Sequence, residues 1–374
     1  MMSQLRSLLR LQESGLLLVI LALGVLLTVF SGSVRIPLFE RGPGGGRQRV
    51  FTTNETGDRT PAFVEKNKFL NAQNLAQLAK DTSFTAIMAV GMAVVIISGG
   101  IDLSVGAIYA LASVLGALAL RHYGPEGVGA TSPAMDVGGI LLGMGACVGT
   151  AALCGLVTGG LIVALRVHPF IITLGGMAIL RGIAFVITKG QSVGGFPPAF
   201  RELVRYEVGD GLSLVPMLVM LVVLAAGWIF LARLAAGRRV YAIGGNELAA
   251  RFSGIRVERV KLGVYLISGV TAGIAALLSL GYYGAATSGD GQGYELNVIA
   301  AAVVGGASLS GGRGSALGVV LGALIIQMIS SGIVILGIDQ NYSQIIIGTV
   351  VIAAVVLDNF NTWLAKRRLT AKSA

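Results

Sequence analysis

The chain has 374 residues, of which 54% are hydrophobic and only 12% charged, and glycine occurs 55 times. A water-soluble domain carries roughly a quarter of its residues charged, so most of this surface faces something other than water, and long Gly-rich apolar runs suit helices packed backbone to backbone in lipid. The net charge of +10 does not point to a nucleic-acid partner, because the basic residues are scattered between apolar spans without an aromatic and basic platform.

Apolar runs fit to cross a hydrocarbon core of about 30 Å lie at Leu16 to Ser31, Ser83 to Ser98, Ser104 to Leu120, Gly138 to Leu165 and Pro169 to Thr188. They continue at Leu212 to Leu234, Leu262 to Tyr283, Asn297 to Leu309, Ser315 to Leu336 and Ser343 to Leu357. The expected fold is all-α, a polytopic membrane helix bundle of about ten transmembrane helices. The first run follows Arg6 and Arg10, and no A-x-A-like cleavage site follows it, so it reads as an uncleaved helix entering from the cytoplasm. Ten spans return the C-terminus to the same side, where Lys366, Arg367, Arg368 and Lys372 follow the positive-inside rule. The same topology places Arg166, the group Arg238 to Lys261 and Arg313 inside, and leaves Arg121, Lys189, Arg201 and Arg205 in short outside loops.

This divides the chain into a tail and first helix (1–31), an outer insertion and interfacial helix (32–82), a membrane-spanning core (83–360) with an inside loop at 236–261, and a basic inner tail (361–374). Within the insertion, Arg41 to Pro61 is rich in Gly, Thr and charge and lacks apolar periodicity, which predicts a flexible segment. Phe69 to Asp81 predicts a short amphipathic helix along the interface. Cys147 and Cys154 are seven apart in one apolar run, about 10 Å along a helix axis and too far for a disulfide. With His122 and His168 the only histidines, no metal ligand set is expected.

Three segments carry the functional signal. Ser98-Gly99-Gly100-Ile101-Asp102-Leu103-Ser104-Val105-Gly106 places a carboxylate and flexible glycines between two apolar runs. An aspartate there costs several kcal/mol if unpaired at the midplane. It reads either as the cap of a broken helix lining a transport path, together with Ser104, or as a plain N-cap in an interfacial turn. In the basic inside loop, Asn246 suits an N-cap, Glu247 the positive end of the helix dipole and Gly254 a C-terminal cap. The two-turn helix between them carries Leu248 and Phe252 on one face and the paired small residues Ala249 and Ala250. A helix this short needs a partner surface, either the protein's own membrane end or another subunit. The third segment, Glu295 to Ser315, joins a small-residue helix to a Gly-Ser turn. It is no phosphate loop, because no Lys-Ser or Lys-Thr follows a G-x-x-x-x-G frame and no strand flanks it.

These segments, with His168-Pro169-Phe170-Ile171-Ile172-Thr173-Leu174-Gly175, closely resemble the ribose-type permease family of ATP-binding-cassette importers over about residues 69 to 360. The resemblance implies a dimeric pore, here expected as a homodimer, in the bacterial inner membrane, two cytoplasmic ATPase domains and a periplasmic sugar-binding protein. It implies that Asn246 to Gly254 is the coupling helix, with Gly245, Asn246, Glu247, Ala249, Ala250, Arg251, Ser253 and Gly254 docking into the ATPase. On this reading the permease is no enzyme and binds no cofactor itself, ATP and Mg being used by the partner. The insertion Arg41 to Pro61 departs from the usual family pattern.

The expected cargo is a simple, ribose-like sugar, with Asp102, Ser104, Asn297, Gln327 and Ser330 as candidate path residues. The last three rest on position only and read first as polar residues of helix packing. Competing readings are an importer of nucleosides or branched-chain amino acids, an ion-coupled secondary transporter, and a membrane scaffold. The secondary transporter calls for facing ionisable residues inside the membrane, and beyond Asp102 and Arg181 the spans hold few.

Overall fold

The structure, a computed structural model, describes residues 2–37, 39–41, 47–53, 59–124, 137–208, 211–353 and 355–356. Its helices are α1 (Met2–Phe30), α2 (Ala72–Ile97), α3 (Val105–His122), α4 (Val137–Leu165), α5 (Pro169–Thr188) and α6 (Pro198–Val204). They continue as α7 (Leu214–Arg233), α8 (Ala235–Gly245), α9 (Glu247–Phe252), α10 (Val257–Tyr283), α11 (Tyr294–Val304) and α12 (Ala316–Ile335), with a further helical stretch over 343–353. The basic tail 361–374 and residues 42–46 and 54–58 of the insertion lie outside the described residues.

Among the described residues, eight helices are long and apolar enough to cross a membrane: α1, α2, α3, α4, α5, α7, α10 and α12. The expected span beginning at Asn297 is instead the 11-residue α11, about 16 Å long and half a membrane thickness. The other half is irregular chain. After α10 ends at Gly284 in the left-handed conformation, the chain turns back into the bundle, bridging Val193 to Ala286. Arg181 of α5 donates to the carbonyls of Ser288 and Asp290 at 3.0 and 3.3 Å, and Gly291 packs on Gly106 at the start of α3. Such non-helical backbone is tolerated at membrane depth only where protein satisfies its polar groups, and the Arg181 guanidinium satisfies two of them.

Glycine sets how closely the spans approach. α4 runs antiparallel to α10, and a Cβ on Gly269 would strike the Ala151 carbonyl while one on Gly155 would strike the Tyr265 carbonyl. Ala301 and Gly305 meet Gly318 and Gly322 in the same way between α11 and α12. In lipid no hydrophobic force pushes helices together, so close backbone contact supplies the association instead. The most deeply buried helix is α2, its membrane half enclosed by neighbours on all sides.

Two expectations fail here. Phe69 to Asp81 forms no separate interfacial helix, because α2 starts at Ala72, capped by the Asn71 side chain accepting from Asn74 N at 2.8 Å, and runs unbroken to Ile97. Thr82 and Ser83, which look like a break, donate their hydroxyls to Leu78 O and Ala79 O one turn back and stay helical. Lys80 is only 2% exposed; its ammonium lies 3.9 Å from the Tyr282 ring centroid and 3.1 Å from Asp81.

The insertion is not irregular where it is described. Strands β1 (Ser33–Pro37) and β6 (Phe63–Asn67) form an antiparallel base, above which β2 (Phe39–Arg41) pairs β3 (Arg47–Arg49) and β4 (Phe51–Thr53) pairs β5 (Arg59–Pro61). An antiparallel ribbon pairs the inward-facing backbone groups of its two strands and leaves the outward-facing ones to water. It therefore forms without the apolar face whose absence from the sequence pattern suggests irregular chain. A last short ribbon, β7 (Glu207–Val208) with β8 (Leu212–Ser213), precedes α7.

The packing account is tested on one helix. Gly269→Ala should lower stability by about 1–3 kcal/mol through overpacking, whereas Gly263→Ala, with open space around its Cβ position, should leave the melting temperature of the detergent-solubilised protein unchanged or raised. Equal effects at both positions would refute it.

Candidate functional site

α7 stops at Leu234, whose extended backbone lets α8 leave in a new direction. Val240 and Ile243 bury the inner face of α8, and Tyr241 donates its hydroxyl to Gly314 O at 2.7 Å. Burial raises the Tyr241 phenol above its ordinary value, so it stays a donor.

At the end of α8 three backbones converge. A Cβ on Gly244 would collide with the Ile97 carbonyl at the end of α2, and one on Gly311 would come within 2.6 Å of the Gly244 carbonyl. Gly312 donates its N–H to Ile97 O at 2.9 Å, and Gly311, Gly312 and Gly314 all have positive φ, which glycine adopts without a Cβ penalty. The glycine run between α11 and α12 is therefore a backbone clamp on α2 and α8. Arg166, the loop around α9 and Arg313 consequently share one end of the bundle, as their common assignment to one side by charge requires.

The short helix α9 follows directly. Asn246 caps it, its side chain accepting from Ala249 N at 3.0 Å, and Gly254 closes it at φ +82°, as both residue types predict. Glu247 accepts from Lys261 at 2.7 Å and lies 3.9 Å from Arg251, which in turn reaches Glu258 at 2.8 Å. These pairs strap α9 to the start of α10, yet all but Lys261 are about half exposed, so they orient the helix more than they stabilise it. Ser253 donates its hydroxyl back to Ala249 O, and Gly245 is exposed. The two alanines do not act as a pair. Ala250 is 4% exposed and packs with Ile243 and Val257, while Ala249 faces solvent. What α9 presents outward is Leu248 at 66% and Phe252 at 86% exposure, two apolar side chains one turn apart on a rigidly held helix.

Beside α9 opens a cleft of about 1060 Å³, between Gly99 and Gly100 at the α2–α3 break, Arg166 and His168 at the α4–α5 turn, and Asn246 with Lys261. Above the break sits Asp102, 0% exposed. One carboxylate oxygen accepts from the N–H and hydroxyl of Ser104, at 2.9 and 2.5 Å, and the other accepts the Ser268 hydroxyl at 2.7 Å. Ser268 lies about 16 Å into α10 from Val257, so the break between α2 and α3 is held at membrane depth. Asp102 caps the chain two residues on rather than α3 itself, whose N-cap Ser104 makes no side-chain cap bond. Ser104 is fully buried too, so in this conformation neither residue reaches an open surface.

The remaining candidates are dispersed. Ser330 donates to Ile326 O in its own helix, while Asn297 and Gln327 are half-buried with no side-chain hydrogen bond among the described residues. Residues that matter but give no local signal include Ser268, one of two serines in an apolar span, whose partner is 166 positions away, and Gly244, one glycine among 55. Near Arg181, Asp290 accepts from both the N–H and hydroxyl of Thr287 at 2.9 and 2.6 Å, which closes the inward loop on itself.

The sequence profile of the family described as "Branched-chain amino acid transport system / permease component" matches residues 74–355. The chain is similar to the ribose import permease protein of Escherichia coli K12, 39% identical over 293 residues that cover 78% of this chain and 87% of the relative. It is 40% identical over 290 residues to the D-allose transport system permease protein of the same organism, covering 78% and 84%. The fructose import permease protein of Rhizobium meliloti is 31% identical over 306 residues, covering 80% of each chain. No solved structure matches.

The buried carboxylate is open to test. Asp102→Ala strands the donors of Ser104 and Ser268 and should cost about 1–3 kcal/mol, whereas Asp102→Asn keeps an acceptor for Ser104 and lets the Ser268 hydroxyl rotate to accept from the amide. The melting temperatures should fall in the order wild type, Asn, Ala. At the other end of the site, Asn246→Ala should speed amide exchange over 247–252 by about fivefold or more, the loss of about 1 kcal/mol of cap, without changing exchange in α10.

Proposed function

The chain belongs to the family of permease components of branched-chain amino acid transport systems, and on that premise we propose that it is the membrane-spanning subunit of an ATP-binding-cassette importer for a monosaccharide. Relatives named as permeases for ribose, D-allose and fructose support a neutral sugar rather than an amino acid as cargo. In this reading two copies of the chain form the pore in a bacterial inner membrane, with both termini cytoplasmic. A periplasmic sugar-binding protein delivers the cargo, and a separate ATPase subunit, using ATP and Mg, supplies the work.

The observation that carries the proposal is α9. A two-turn helix is marginal alone, yet here it is capped at both ends, clamped through Gly244 to α2 and to the α11–α12 loop, and turns Leu248 and Phe252 outward. Such a helix transmits a push, because the end of α8 from which it continues is in direct backbone contact with the elements it would move. The coupling surface therefore centres on Leu248, Ala249, Arg251 and Phe252, with Gly245, Asn246, Glu247, Ala250, Ser253 and Gly254 holding the helix in place. Asp102 and Ser104 keep the α2–α3 break rigid, while the free side-chain amides of Asn297 and Gln327 are the groups left to meet sugar hydroxyls. Ser330 keeps a packing role.

Phe252→Glu tests the reading. In proteoliposomes containing the ATPase subunit and the binding protein, sugar uptake should fall at least tenfold while the permease still melts at the wild-type temperature, since the side chain is 86% exposed. Wild-type uptake would overturn the assignment of α9. Uptake by the permease alone, driven by an ion gradient without ATP, would overturn the importer.

A further inference from the structure

A second cleft, of about 620 Å³, opens between the α7–α8 elbow and the first three turns of α10. Its lining divides by chemistry. Arg239 of α8 and Arg256 and Arg259 at the start of α10 supply the charge, and no acidic residue is among the described residues that line it. None of these three arginines has an ion-pair partner among the described residues, and all are exposed. Phe230, Val260, Val264 and Ile267 supply an apolar wall.

The two halves straddle the boundary between lipid and water. α7 is a membrane-spanning candidate that ends at Arg233, and α10 is one that starts at Val257. Trp228, 48% exposed, lies under the Arg233 guanidinium at 5.5 Å from its ring centroid, a pairing characteristic of the headgroup level. Phe230 sits between those two residues, Ile267 about 15 Å up α10 on the hydrocarbon side, and the arginines on the water side. Three uncompensated guanidiniums in one cleft repel each other unless an anion joins them, and guanidinium matches phosphate in a bidentate fork. An apolar channel leading from that charge into the hydrocarbon is what an acyl chain fills.

We propose that this cleft binds one anionic phospholipid, its phosphate between Arg239, Arg256 and Arg259 and an acyl chain along Phe230, Val260 and Ile267. Basic pockets between helices at the inner leaflet take such lipids. The cleft is also lined by Ser253, Gly254 and Ile255, the C-terminal cap of α9, so the bound lipid props the exit of the outward-facing helix. Anionic lipid thereby joins the elements that fix the position of α9. The binding itself depends only on the chain's spanning a membrane; its effect on transport rests on the function proposed above.

The full-length permease is reconstituted into nanodiscs of equimolar phosphatidylcholine and phosphatidylglycerol, and the lipids retained after transfer to detergent are measured by native mass spectrometry. Wild type should retain phosphatidylglycerol in preference to phosphatidylcholine. Each surface arginine contributes a factor of about five, so Arg259→Gln should reduce the preference by about that factor and the combination with Arg239→Gln and Arg256→Gln should abolish it. Arg238→Gln, a neighbouring residue that does not line the cleft, should leave it unchanged. In Ile267→Trp, made in a background of Trp228→Phe and Trp363→Phe so that it carries the single indole and keeps every charge, the fluorescence should be quenched by phosphatidylglycerol brominated on its acyl chains more than by brominated phosphatidylcholine. Equal retention of both lipids by wild type, or an unchanged preference in the triple variant, would overturn the site. So would displacement of the lipid by inorganic phosphate at millimolar concentration, which would assign the arginines to a soluble anion. Equal quenching by the two brominated lipids in the single-tryptophan Ile267→Trp variant, with retention intact, would overturn the acyl-chain half. A preference that persists in a permease shown not to import sugar would leave the lipid site standing and refute the transport function alone.

Discussion

The arrangement depends on backbones being able to touch at one point, where the end of α2, the end of α8 and the loop between α11 and α12 meet. Gly244 lies against the Ile97 carbonyl and the Gly312 nitrogen with no room for a single methyl group, and Gly312 N–H bonds directly to the Ile97 carbonyl. A side chain at Gly244 would separate the outward-facing α9 from the membrane core. The clamp thus converts a polar, surface-mounted helix into an extension of the most buried helix in the bundle. Because protein interiors are close-packed, a displacement at such a contact is passed on rather than absorbed.

Charge is sparse inside the bundle, and three of the charged groups there tie one element to another. Asp102 joins α3 to α10 through Ser104 and Ser268, Arg181 holds the inward loop by its carbonyls, and Lys80 rests on Tyr282. Asp102 and Arg181 satisfy backbone and hydroxyl groups that lipid could not. They sit beside irregular chain, which is where the bundle has broken its own hydrogen-bond ladder. At the water-exposed end the logic changes: Glu247, Arg251, Glu258 and Lys261 form a chain of exposed pairs that orient α9 without greatly stabilising it, while Arg239, Arg256 and Arg259 on its other flank have no ion-pair partner among the described residues.

Much of this is legible along the chain because the signals are local. Caps at Asn246 and Gly254 depend on residues within a turn, and the ends of α4 and α5 follow from Pro169 behind His168 and from the apolar runs themselves. Local appearance and tertiary context diverge elsewhere. Thr82 and Ser83 look like a boundary but return their hydroxyls to the helix; the Gly- and Thr-rich insertion lacks apolar periodicity yet pairs its own strands; the small-residue run after Glu295 looks like a full span but is half of one. Ala249 and Ala250 look equivalent, and only the packing of Ile243 and Val257 against one of them distinguishes inside from outside.

From residue order alone it follows that the chain spans a membrane many times, which loop carries the basic charge, and where a short capped helix sits within that loop. These rest on composition, on the length an apolar helix needs, and on hydrogen bonds closed within one turn. Only in three dimensions does the glycine run before Ser315 grip α2 and α8, does Asp102 meet Ser268, does Arg181 support the half-span, and do Leu248 and Phe252 become the face turned outward. Most of these pairings join residues tens to hundreds of positions apart, and nothing in the spacing along the chain encodes which backbone a given glycine will meet.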